Sequence, residues 1–394
     1  MFFLLHLRSC DDTHDAAQSA VSVAGPTTGR DISDSNTEHS YGTYGNPTET
    51  NAEVTSNNRG GFQSRIITVH RGNIRQDMID IFTDPSIMNC HIMVEMINER
   101  GTAEQGRGSG VFKDALSLFW KDVYDSLMLG EGERVPFIRH DFQRKEWEAI
   151  ARILLKGYQV HQYFPLRLSK TFVASCLFSE SAVSDNMLLE SFMQYVSKVE
   201  RKVVEKCVNG EIEADDEELI ELLSTFECKR GVTKSTILKT VIEVAHKELI
   251  QRPQYVADCW KEIITTLADS FPTVESLLCF YDQLTPTNSK VLDTIECKAN
   301  TQEERDSLKF LKRFIKGLDS RMLTTFLRFF SGSDLMLFDS WQVSFTNTEG
   351  CARWPIAHAC SNTLELPSTY LSFPELREEF NNILKSEDWE MDIV

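Results

Sequence analysis

Pro355-Ile356-Ala357-His358-Ala359-Cys360-Ser361-Asn362-Thr363-Leu364-Glu365-Leu366-Pro367 is the stretch on which the reading of this chain turns. It gathers an imidazole, a thiol and an amide between two prolines. Small or polar residues alternate with apolar ones, which predicts a short strand or an extended loop rather than a helix. A cysteine on such a segment is partly exposed, as a reactive thiol must be. Three roles compete for Cys360. It could be a core cysteine, since free cysteine is among the most buried residue types. It could be the nucleophile of a Cys–His hydrolase. However, residues two apart in an extended segment do not approach closely enough for a nucleophile–base hydrogen bond. His358 is therefore a poor base, and a remote ring such as His140, His161 or His246 would have to serve. The third role is transthiolation, which starts from an activated thioester and needs a reachable thiolate rather than a full triad.

The rest of the composition narrows the field. The chain has 394 residues, enough for two or three domains with sizeable cores. Its net charge of −18 opposes binding to a phosphate backbone, and no dense run of Lys and Arg offsets it, so no nucleic-acid partner is expected. The ten cysteines include no Cys-x-x-Cys pair, which fits reduced thiols in a cytoplasmic or nuclear protein. Cys351, His358 and Cys360 lack the paired spacing of a structural zinc site, so neither metal nor cofactor is expected. No apolar run reaches membrane-spanning length, and Met1 to Leu5 is too short for a signal core, so no membrane partner is expected.

Residues 1–64, rich in Ser, Thr, Asn, Gly and Asp from residue 10 onward, read as a disordered leader. A strand is predicted over Arg65 to His70, a short helix over Asn73 to Phe82 and a second strand over His91 to Met96. Gly106-Arg107-Gly108-Ser109-Gly110 precedes a helix from Val111 to Ser126. A glycine-rich loop there can cradle phosphate. Neither the Walker pattern nor the dinucleotide fingerprint fits, because Val111 takes the third-glycine position, and a flexible loop leading into the helix is the simpler reading. Downstream the chain reads as mostly helical. Asp141 is expected to cap a helix closed by Gly157, and Met187 to Asn209 reads as one helix stopped by Gly210. The acids Glu211 to Glu218 are expected to favour a helix N-terminus rather than hold a cation. Phe280 to Ser289 reads as a break. Thr301 and Glu304 then form a capping box for a helix through Lys316, and a final helix runs from Pro374 to about Lys385.

Ala357 to Pro367 resembles the active-site signature of HECT-type ubiquitin ligases, in which Ala-His-Thr-Cys, an aromatic, Asn and a Leu-acid-Leu-Pro run surround the cysteine that accepts ubiquitin. Ala359 stands where the family usually has threonine, and Ser361 where it has an aromatic. Leu323 to Ser333 is similar to the family's Phe-x-Thr-Gly-Ser stretch, with Ser331 in place of threonine. Tyr163 to Ser169 is similar to its aromatic-Pro-x-x-Leu stretch, and the glycine-rich loop before a helix also belongs to the family. Near the C-terminus the family carries a phenylalanine where this chain has Met391, with Trp389 two residues earlier. The resemblance runs from about Arg65 to Val394.

It implies an α+β, bilobal HECT-like domain with a large, mainly helical N-lobe over 65–284 and a small α/β C-lobe over 301–394, joined by a hinge over 285–300. The N-lobe would bind a ubiquitin-conjugating enzyme. Cys360 would take ubiquitin as a thioester and pass it to a lysine of a protein substrate, with His358 and Asn362 shaping the loop. The alternative is a HECT-like interaction module that binds ubiquitin or a conjugating enzyme without catalysing transfer.

Overall fold

In β1 (Ser64–His70) the buried Ile67 and Val69 alternate with exposed neighbours, and in β2 (His91–Ile97) Ile92, Val94 and Met96 do the same. The period-2 pattern puts one face of this parallel pair on the core. Between them α1 (Ile74–Phe82) buries Ile74, Met78, Ile79 and Phe82. The computed structural model describes residues 64–106, 108–350 and 353–386. The expected leader, apart from Ser64, therefore lies outside the described residues, as do Cys351, Trp389 and Met391.

Next comes α2 (Ser109–Leu127), apolar on nearly every side and buried accordingly. A short hairpin of β3 (Met128–Leu129) and β4 (Val135–Pro136) leads to α3 (Arg144–His161). Two expectations for α3 are corrected. Gln143, not Asp141, is its N-cap, with Glu146 accepting from the Gln143 backbone N–H at 2.9 Å, while Asp141 pairs with Arg139. The helix also runs through Gly157 and ends at Gln162, whose φ is +57°. Gly157 serves packing rather than termination: a Cβ there would lie 3.2 Å from Leu116 Cδ1 on α2.

α4 (Lys170–Phe178) is followed by α5 (Asp185–Tyr195) and α6 (Lys198–Asn209). The single helix expected from Met187 to Asn209 is thus two. Ser197 and Glu200 form a capping box between them, and the apolar stripe looked continuous because both helices face the same core. Gly210 does end α6, at φ +69°. Asp216 caps α7 (Glu217–Thr225), as the acidic run foretold, and Lys206 and Lys234 pair with Glu218 and Glu213. Then follow α8 (Ile237–His246), α9 (Gln254–Ile264) and α10 (Val274–Leu284). The break predicted over Phe280 to Ser289 shrinks to Thr285–Thr287, because Tyr281 and Leu284 are buried on α10 and keep it helical.

Residues 285–300, read as a linker, hold α11 (Asn288–Asp293) and β5 (Ile295–Cys297). α12 (Gln302–Lys316) starts at the Thr301–Glu304 capping box, and α13 (Ser320–Ser331) ends at Gly332, φ +74°. β6 (Trp341–Thr346), β7 (Ile356–His358), β8 (Thr363–Pro367) and α14 (Phe373–Ser386) complete the chain. The last four strands make one sheet in the order β5-β6-β8-β7, parallel except for β7 against β8.

The architecture is α+β and mainly helical, with small sheets. Its buried apolar side chains form two clusters. One runs from Ile67 to Leu284 and takes in Leu335; the other runs from Val291 to Leu384. In the second, Trp341 lies 4.5 Å from the Phe330 ring centroid and donates its indole N–H to the Val291 carbonyl at 2.9 Å. α11 is thereby fixed to the second cluster.

Candidate functional site

The extended loop expected at Pro355–Pro367 is a hairpin. β7 pairs antiparallel with β8, and Ala359–Asn362 form the turn between them. Leu364 and Leu366 point into the core and Pro367 closes the strand, so the alternation of the motif is that of β8. Cys360 sits on the turn and is exposed. The Ser361 N–H donates to the His358 carbonyl at 3.1 Å. Asn362 adopts φ +50°, a left-handed conformation that asparagine tolerates better than most residues. Its carbonyl accepts from the Gln342 N–H at 3.0 Å, which ties the turn to β6. His358 and Asn362 therefore flank the thiol as expected, one at each end of the turn.

Neither hydrogen-bonds the sulfur. His358 Nε2 lies 3.1 Å from Glu365 Oε1, an ion-pair distance without hydrogen-bond alignment. Of the remote rings, His246 contacts Glu180 at 2.6 Å, His161 packs edge-on against Phe112 near Lys113, and His140 is exposed on a turn. Among the described residues, no imidazole hydrogen-bonds Cys360, which removes the geometric basis of the hydrolase reading. The same residues contain no His/Cys/Asp/Glu group able to hold a metal ion.

What faces the cysteine turn is the glycine-rich loop. Gly108, φ +122°, caps α2, and a Cβ there would lie 3.5 Å from Cys360 Sγ. A Cβ on Gly110 would lie 2.9 Å from the Ala359 Cβ, and one on Gly332 would lie 2.7 Å from the Gly110 carbonyl oxygen. The glycines thus let two backbones meet, and the space that sequence offered to a phosphate is filled by Ala359 and Cys360.

Three residues of α2, Lys113, Asp114 and Ser117, hold this arrangement. Lys113, only 8% exposed, donates from Nζ to the Ala359 carbonyl at 3.2 Å. Asp114 accepts from Arg328 Nε at 2.7 Å and from Arg71 Nη1 at 2.9 Å, with Glu104 holding the other edge of Arg71. Ser117 donates to Asp334 Oδ1 at 3.1 Å, and the Tyr163 hydroxyl donates to the same oxygen at 3.0 Å. Burial pushes the Asp334 carboxyl above the usual range despite these donors. Sequence reasoning missed Lys113. Its signal was a lysine in the mostly apolar first half of α2, with Gly110, Leu116 and Ser117 rather than a carboxylate at helical neighbour positions.

Burial, helped by Lys113, lowers His161 from 6.5 to about 4. As pH falls below 6.5 the unfolded chain takes up this proton first, while the folded ring resists until about 4. The stability it supports is therefore present above 6.5 and lost towards 4. Allowing for partial exposure, about 1–2 kcal/mol is expected to disappear over that window. Urea midpoints at pH 7 and pH 4.5 check this: His161→Phe should show a smaller acid-induced drop than the parent.

No protein-family model matches this chain, and none of the curated proteins matches it either. Among the described residues, no single helix is long and apolar enough to cross a membrane.

Proposed function

We propose that this protein is a ubiquitin–protein ligase of the HECT type, with Cys360 as the acceptor of ubiquitin. The observation that carries the reading is an exposed thiol on a hydrogen-bonded hairpin turn, between His358 and Asn362, in a sequence similar to the HECT active-site signature. The motif set is also similar to that of the HECT part of the G2/M-phase-specific ubiquitin ligase. The two hydrophobic clusters are in keeping with an N-lobe and a C-lobe, and Thr285–Thr287 is the segment without regular structure where they would hinge. The helical N-lobe would take the ubiquitin-conjugating enzyme. The free cysteines are in keeping with a cytoplasmic or nuclear placement.

In the first step the Cys360 thiolate attacks the thioester carbonyl of the charged conjugating enzyme. The new S–C bond forms on Cys360, the old one breaks, and the partner's sulfur leaves as thiolate and takes a proton from water. In the second step a substrate lysine amine attacks the Cys360 thioester. A C–N bond forms, the amine sheds a proton to solvent, and Cys360 leaves as thiolate. Covalent catalysis divides one transfer into two, and the leaving group and nucleophile of the first step are alike, so no strong base is required. The Ser361 and Asn362 backbone and the His358 ring would surround the developing oxyanion.

The test mixes the protein with ubiquitin, activating enzyme, ATP and a panel of conjugating enzymes. A ubiquitin adduct that survives a non-reducing gel and vanishes with thiol is expected. Ala359 and Ser361, small where the family is bulkier, favour a second reading as a non-catalytic HECT-like module. Binding of a conjugating enzyme with no adduct across the panel would replace the ligase with that module.

A further inference from the structure

Lys113 poses a problem of charge. The residue is 8% exposed, in the first turns of α2, and among the described residues it makes no ion pair. Its hydrogen-bond partner is a neutral carbonyl, Ala359 O, at 3.2 Å. The adjacent carboxylate, Asp114, is committed to Arg71 and Arg328. The nearby ring, His161, is held neutral, and a charge there would repel the lysine rather than neutralise it. A buried cation with no counter-ion is costly, so a partner is to be sought.

The remaining candidate is the thiol. Ala359, whose carbonyl Lys113 holds, is the residue before Cys360. Cys360 Sγ lies against Gly108, the N-cap of the same helix, so the sulfur stands over a helix N-terminus as well. Burial draws Lys113 below the usual lysine range, and charge on Cys360 opposes that only in part.

We propose that Lys113 is the counter-charge of Cys360: held beside the turn by the Ala359 carbonyl, it stabilises negative charge on the sulfur. In transfer chemistry, which rests on the ligase reading, this charge is present when Cys360 attacks and again when it leaves. Lys113 touches the loop rather than the acyl group, so it is a positioning and electrostatic residue and gives up no proton.

Alkylation tests the pairing without ubiquitin. The sulfur displaces iodide from neutral iodoacetamide or from anionic iodoacetate: an S–C bond forms, the C–I bond breaks, and the thiol proton passes to buffer. A cation beside the sulfur favours the anionic reagent, whereas a loosened turn changes both rates alike. In the full chain, peptide mapping compares Cys360 with exposed Cys279. The iodoacetate-to-iodoacetamide rate ratio is expected to be roughly fivefold higher at Cys360 than at Cys279. Lys113→Met should remove that excess and Lys113→Arg should keep most of it. Equal ratios at the two cysteines in the parent protein overturn the proposal, even if no variant folds. So does an excess that survives Lys113→Met. A high ratio in a protein that no conjugating enzyme loads would uphold the counter-charge and remove the ligase reading.

Discussion

Cys360→Ala is expected to abolish the ubiquitin adduct while leaving the fold unchanged. Removing a covalent nucleophile costs roughly 10³-fold or more, because the remaining groups have no reaction to assist. The structural cost should be small. Cys360 is exposed, and the turn is held by backbone hydrogen bonds at Ser361 and Asn362 and by the Lys113–Ala359 contact, none of which needs the sulfur. A stability loss of about 1 kcal/mol is expected, because Lys113 keeps its bond to the Ala359 carbonyl but loses the charge partner proposed for it at the sulfur. Gel assay and thermal melt together separate loss of the nucleophile from loss of the fold. An adduct that persists in Cys360→Ala would move the acceptor to another thiol, of which Cys279 is the exposed one among the described residues.

Asp114→Ala is expected to cost about 3–5 kcal/mol, the scale of breaking a buried ion pair from one side. The Asp114 side chain is 2% exposed, and its two oxygens face separate guanidiniums, Arg71 just after β1 and Arg328 from α13. Burial alone would lower Arg71, but hydrogen bonds and charge from Glu104 and Asp114 more than reverse that and leave it raised. Removing Asp114 leaves Glu104 to hold Arg71 and takes from Arg328 its bond to α2. A loss of this size is a large part of a domain's total stability. Urea denaturation should show a lower midpoint, with Asp114→Asn intermediate because an amide keeps one oxygen acceptor. Because the pair is buried, 1 M salt should not erase the difference. Breaking the exposed Lys206–Glu218 pair is the contrast, with no measurable change expected. An Asp114→Ala midpoint equal to the parent's would mean that α2 and α13 are joined by apolar packing alone.

Much of the fold was legible in residues whose signals are local. The strand at Ile67 and Val69, the acidic start of α7, the cap at Thr301 and the stop at Gly210 each rest on chemistry within four residues. Gly157 and the α5–α6 break were misread for one reason. A glycine and an apolar stripe carry two meanings, and only the neighbour across the core, Leu116 for one and the shared cluster for the other, selects between them.

The candidate site divides the same way. Its cysteine, imidazole and amide were readable because they lie within five residues of chain, whereas the burial of Leu364 and Leu366 on one face of β8 came only with the fold. The sequence by itself determined that Cys360 lies on a non-helical segment between His358 and Asn362, and that the chain from about residue 141 onward is mostly helical. Only the tertiary structure decided what surrounds the thiol. Gly108, Gly110 and Lys113 stand some 250 positions before Cys360 in the chain, as the separation of 246 between Lys113 and Ala359 shows. No local rule links them, because a buried lysine and an open glycine backbone acquire their meaning from the atoms that approach them in space.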